Sequence, residues 1–184
     1  TTFFVLLVAL TQSGKTGTMV GLIKQFLLTY NNYTPVQNII VITGLSSREW
    51  KTQTTERIPD GIRVLHRNDL NNELADELKQ AKNVLIIIDE VNIACQAKQT
   101  LEILFKRAGF QTIQELIERD IKIVEVSATP DGVLYNLSNS SWLEHTKIIK
   151  SYPGIGYTGV KELLEQNRIF QFYDLKGVIK GTNK

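Results

Sequence analysis

The strongest constraint on this chain is an abrupt change of character near its start. Thr2 to Ala9 is a near-continuous apolar run, Leu10 to Thr16 is a short polar stretch ending in Gly14-Lys15-Thr16, and Met19, Leu22, Ile23, Phe26 and Leu27 then recur at helical spacing. An uninterrupted apolar run suits a parallel strand buried on both faces. Strand, tight loop and amphipathic helix in that order form the setting in which backbone N–H groups cradle phosphate. Lys15 sharpens the argument, because the positive end of a helix dipole disfavours a cation by a few tenths of a kcal/mol to ~1 kcal/mol. An anion is therefore expected beside it. The alternative, a solvated lysine next to a helix cap, leaves the preceding strand and loop without a purpose. Thr11, Gln12, Ser13, Gly14, Lys15, Thr16 and Gly17 are the candidate phosphate cradle, with the Thr16 hydroxyl placed to hold magnesium.

The rest of the chain alternates strands and helices. Asn38 to Thr43 reads as a second buried strand, Ser46 to Arg57 as a polar surface helix, and Ile62 to His66 as a short strand after the Pro59-Asp60-Gly61 break. Leu70, Leu74, Leu78 and Ala81 then recur at helical spacing. Val84 to Ile88 is the most apolar strand. Helices are expected from about Gln99 to Arg107 and Thr112 to Glu118, and a strand over Ile121 to Val126. Further on come one helical turn at Val133 to Leu137, a strand at His145 to Tyr152, a helix at Gly159 to Asn167 and a last strand at Ile169 to Leu175. Alternation of this kind implies right-handed crossovers and a mostly parallel sheet covered on both faces.

Asp89 and Glu90 stand together at the carboxyl end of the strand Val84 to Ile88, where ligands of parallel sheets bind. Two neighbouring carboxylates repel unless a cation or a proton-transfer task justifies them. In a nucleotide hydrolase Asp89 would hold the metal and Glu90 would orient and deprotonate the attacking water. The bland reading is a turn capped by an aspartate.

Ala9 to Thr16 resembles the A-x-T-G-x-G-K-T loop of superfamily 2 helicases and related translocases, with Gln12 in place of one glycine. Asp89-Glu90-Val91-Asn92 resembles the four-letter acidic box of the DEAD-type and DEAH-type helicases, and Ser127-Ala128-Thr129 matches their S-A-T triplet. The resemblance spans about Thr2 to Pro130 and implies a RecA-like P-loop NTPase domain, a three-layer α/β sandwich. It implies ATP and Mg2+ as cofactors, Lys15, Asp89 and Glu90 as catalytic residues, and Thr16 and Asp89 as metal ligands. Asn92, Ser127, Ala128 and Thr129 would couple the nucleotide to strand separation, and the triplet's strand would lie between the phosphate-loop strand and the acidic-box strand. Thr43-Gly44 and His66-Arg67-Asn68 fall where the family contacts nucleic acid, although His66 is more often a structural histidine than a contact and Arg67 is equally a solvated turn charge. Trp50 and Gln53 suit either packing or base stacking. The glycine-rich stretch Ser151 to Gly159 is loosely similar to the segment after the triplet in Z1-type viral and bacterial ATPases.

The expected organisation is one domain over 1–175 and a linker over 176–184 leading to a second RecA-like domain that supplies arginine fingers. The partners are that domain and nucleic acid, DNA favoured over RNA, with no membrane. Twenty-one basic against nineteen acidic residues leave a net charge of +2, so nucleic-acid contact must be local. The single Cys95 excludes an internal disulfide, and no apolar stretch approaches the ~20 residues of a membrane-spanning helix, which suits a soluble intracellular protein. Beginning inside a strand, the sequence reads as a piece of a longer protein. A terminase-type viral packaging ATPase and a non-hydrolysing nucleotide-sensing module are the competing readings.

Overall fold

In the computed structural model, residues 2–10, 13–30, 38–43, 48–89 and 95–169 are described, with the backbone alone for Arg48, Trp50, Arg67 and 95–99. The elements are β1 (Phe4–Ala9), α1 (Lys15–Thr29), β2 (Ile39–Thr43), α2 (Arg48–Arg57), β3 (Arg63–His66), α3 (Asn72–Gln80) and β4 (Val84–Asp89), followed by α4 (Cys95–Arg107), α5 (Ile113–Glu118), β5 (Ile121–Ser127), α6 (Asp131–Ser138), β6 (Thr146–Ser151) and α7 (Val160–Glu165). Two compact units divide the chain, Thr1–Tyr152 and Pro153–Lys184.

The first unit holds a six-stranded sheet in the order β3-β2-β4-β5-β1-β6, every described pair parallel. The expected three-layer α/β sandwich is what forms, and β5 lies between β1 and β4, where the helicase resemblance puts the triplet's strand. Period-two alternation sorts the strand residues between two apolar layers. Leu7, Ile39, Val41, Leu85, Ile87, Val124 and Val126 pack with Met19, Ile23 and Phe26 of α1. Phe4, Leu6, Ile40, Ile42, Ile86, Ile88, Ile121 and Ile123 pack on the other face against α3, α4, α5 and α6 through Leu74, Leu78, Leu101, Leu104, Leu116 and Leu137.

Local chemistry sets the element ends. Asn71 caps α3 by accepting from the Leu74 N–H at 2.9 Å. Thr112 and Glu115 form a reciprocal capping box at α5, the Glu115 N–H donating to Thr112 Oγ1 at 3.2 Å and the Thr112 N–H to Glu115 Oε2 at 3.4 Å. α6 is longer than the single expected turn because Pro130 starts it rather than ending what precedes. Pro130 has φ −77° and its carbonyl accepts from the Leu134 N–H at 2.8 Å, while Asp131 favours the first turn. α4 likewise begins at Cys95, ahead of the expected Gln99.

In the second unit Gly159 caps the start of α7, its N–H donating to Glu162 Oε2 at 2.8 Å. Apart from Ile169 itself, the expected strand Ile169 to Leu175 and the tail 176–184 lie outside the described residues.

Candidate functional site at the carboxyl edge

A parallel sheet sends all its strand ends to one edge, and the register shows which ends are level. Asp89 pairs with Val126 and with Thr43, Thr43 pairs with His66, and Val126 pairs with Leu7. One row across the sheet therefore reads His66, Thr43, Asp89, Val126, Leu7. Val8 stands beside Ser127 one step further on, and Ala9 beside Ser151. The loop after β1, the acidic end of β4 and the triplet at the end of β5 thus leave the sheet at the same edge.

Faces follow from alternation. Asp89 has the parity of Leu85 and Ile87, which pack against α1, so it projects toward the helix that follows the loop. Ser127 has the parity of Ile121 and Ile123 and projects to the opposite face. Asp89 is half-buried, with Oδ1 out of solvent.

At the loop, Ser13 closes a turn: its N–H and its Oγ both donate to the Leu10 carbonyl, at 3.3 and 2.7 Å. Gly14 follows with φ 88° and ψ 23°, a left-handed conformation that side-chain-bearing residues rarely adopt. α1 begins at Lys15 with Thr16 and Gly17 in its first turn. No acidic residue lies in that turn, and among the described residues no side chain caps it. Its first N–H groups lack intrahelical acceptors, and Lys15 and Thr16 are half-buried while Gly17 is exposed. That donor set fits phosphate oxygens. Among the described residues no cluster of three or more His, Cys, Asp and Glu exists to cage a metal. A hydroxyl and one carboxylate, Thr16 and Asp89, suit magnesium, which is held by few protein ligands and completed by phosphate and water.

Around the acidic end the interior is more polar than the sequence suggests. Thr43 and His66 are each only 3% exposed. Thr43 Oγ1 donates to the Leu65 carbonyl at 3.4 Å, and His66 Nδ1 accepts from the Asn68 N–H at 3.3 Å. Their parity puts them on the same face as Asp89, one and two strands away. The turn after β3 is fixed by Asp69 Oδ2, which accepts from the His66 N–H at 2.8 Å and from Lys51 Nζ of α2 at 2.7 Å. Burial pushes the Asp69 carboxyl up, but these two bonds outweigh it and hold the group below its ordinary range. Asn68 is exposed. In the triplet, Ser127 is fully buried and its Oγ accepts from the Thr129 N–H at 3.1 Å, leaving Ala128 half-buried and Thr129 exposed.

No protein-family model matches the sequence, and no curated protein matches it. The solved structure of C. elegans PCH-2 aligns with 94% of this chain and 43% of its own length, at 19% identity and a TM-score of 0.45.

Thr11, Gln12, Gly44, Glu90 and Asn92 lie outside the described residues, as does the side chain of Arg67. Of the remaining expected residues, the structure brings Ser13 to Gly17, Asp89 and the triplet to one edge. Thr43 and His66 are set inward beside Asp89. The parity they share with Val41 and Val64 was the signal for this in the sequence.

Proposed function

We propose that the chain is the ATP-binding and hydrolysing domain of a nucleic-acid helicase or translocase. The observation that carries this reading is the level row at the sheet edge: the loop ending in Lys15 and the carboxylate of Asp89 leave neighbouring regions of one edge and share one face. The α1 N–H groups and the Lys15 ammonium bind the phosphates, and the Thr16 hydroxyl with Asp89 holds a magnesium ion. When bound, that ion offsets the negative charge that develops on the transferring phosphate. Glu90, next in sequence to Asp89, takes the proton of the attacking water. Ser127 and Thr129 form a compact hydrogen-bonded turn at the neighbouring strand end, which supports the coupling role. Nucleic-acid contact falls to the backbone at Thr43-Gly44 and to Arg67 and Asn68, with His66 bracing the turn from inside.

Completing the cleft takes a second domain that contributes a positive charge. Lacking such a finger, hydrolysis falls by on the order of 10³ or more, so this chain alone binds Mg-ATP but turns it over slowly. Titration with a fluorescent ATP analogue tests this. A magnesium-dependent signal that Lys15→Ala abolishes is expected. A wild-type protein giving no such signal ends the proposal.

A further inference from the structure

On the face of the sheet away from α1, the helices α4 and α6 leave a cavity of about 260 Å³ over β5. Its walls are apolar and aromatic, chiefly Phe4, Ile88, Leu101, Phe105, Val133 and Trp142. Glu125 of the sheet and Glu102 of α4 also line it, with Asn136 and Ser140. No lysine or arginine lines it among the described residues. The cavity lies on the layer opposite the phosphate loop and shares none of the residues assigned to the nucleotide.

Glu125 is the unusual member. It stands on a central strand with Leu6 and Ile88 as its cross-strand neighbours, and it has the parity of Ile121 and Ile123, which are fully buried. A carboxylate in an apolar layer costs free energy that a matching cation offsets. Glu125 has contacts within the fold, but a carboxylate offers about four acceptor positions, so a ligand donor can join them. The aromatic wall is fixed: the Trp142 ring meets Phe3 and Phe4 edge-on, at centroid distances of 5.4 and 5.9 Å. An indole beside two carboxylates attracts cations by its negative face as well.

A second recess adjoins the first, sharing Glu102, Phe105 and Trp142 and running along α4 to Lys106, Phe110 and Gln111. Lys106, which lines this second recess and not the first, repels a cation, so the occupant's positive group goes toward Glu125 and its apolar body along α4. We propose that this cavity is a binding site for a small amphipathic cation, an aromatic or branched aliphatic body bearing one ammonium group.

The test uses the whole 184-residue chain, labelled with nitrogen-15 and titrated with 3-phenylpropylammonium and with its neutral isostere 3-phenylpropan-1-ol. The Trp142 indole N–H resonance reports on the site. The ammonium compound is expected to bind roughly tenfold tighter than the alcohol, the margin by which a charge-assisted bond to Glu125 exceeds a neutral one. Glu125→Gln brings the two affinities together, and Val133→Phe, which fills the cavity, weakens both. Should Val133→Phe misfold, the wild-type shift map still decides. Equal affinities for the two compounds, a preference that survives Glu125→Gln, shifts that spare Trp142, or no binding of either compound each overturn the proposal.

Discussion

Arg119 ties two helices to the sheet, and removing its guanidinium should show how much of the fold depends on it. Its Nε and one terminal nitrogen donate to the Ala81 carbonyl at 3.2 and 3.1 Å, the other terminal nitrogen donates to the Ala108 carbonyl at 3.0 Å, and the Leu78 carbonyl accepts as well. Ala81 and Ala108 lie just past the ends of α3 and α4, where carbonyls lack intrahelical partners, while the Leu78 carbonyl in the last turn of α3 also accepts from the Ala81 N–H. The guanidinium also stands 5.1 Å from the centre of the Phe110 ring. A hydrogen bond from a charged donor is worth about 1.5–3 kcal/mol net. Arg119 is half-buried, so water recovers part of the loss at three carbonyls, leaving roughly 3 kcal/mol, with ~0.5–1 kcal/mol more from the ring. Arg119→Met keeps the apolar stem and the contact with Phe110, so it isolates the donors. At about 2–4 °C per kcal/mol for a chain of this size, the thermal midpoint should fall by about 6–12 °C. Circular dichroism at the helical wavelength measures it. Arg119→Lys keeps the charge but replaces a planar fork with a point donor, and it should lose most of the same stability. A midpoint within about 2 °C of wild type for the Met variant, or a Lys variant as stable as wild type, would refute the clamp.

Two further outcomes follow from the site. Gly14→Ala places a side chain at φ 88°, and since nothing lies within 4 Å of the added carbon, the cost is conformational, about 1–2 kcal/mol. Both the thermal midpoint and the affinity for Mg-ATP should drop, whereas a variant unchanged in both would show that the loop needs no left-handed residue. For Asp69, the folded carboxyl titrates below its ordinary 3.8, so the unfolded chain binds the proton more readily and stability rises with pH. Its contribution is present above about pH 4 and disappears as pH falls through the folded value. Denaturant midpoints at pH 7 and pH 2.5 should therefore differ less in Asp69→Asn than in wild type, and an identical acid loss would exclude Asp69 as a source.

The apolar runs at Phe4–Ala9, Ile39–Thr43 and Val84–Asp89 made the sheet legible, because a strand buried on both faces leaves no polar residue to confuse it. The nucleotide edge was legible for a related reason: Gly14-Lys15-Thr16, Asp89 and Ser127 each follow such a run, and parallel topology forces their ends together. What the sequence hid was cross-strand register. The strand Ile62 to His66 was legible, but only its pairing with β2 sets His66 level with Thr43 and Asp89. Nor did the sequence show that Pro130 opens α6, where proline's fixed φ suits a first helical turn. Cys95 and its neighbours Gln96, Ala97 and Lys98 show no apolar helical period, so the start of α4 was invisible. The cavity over Glu125 depends on how α4 and α6 diverge above the sheet, which no local pattern encodes.

The position of β1 has a consequence for how the protein is made. Its two neighbours, β5 and β6, are both encoded far downstream, so that Phe4 waits for Ile123, 119 positions later, before it has a partner. At roughly 5–20 residues per second of synthesis, that delay is about 6–24 s, during which a greasy hexapeptide stays unzipped. Contacts this distant in sequence also slow folding. A growing chain released before residue 127 emerges would expose Phe4–Ala9 as an aggregation nucleus, and chaperone capture of the nascent polypeptide should peak on that segment.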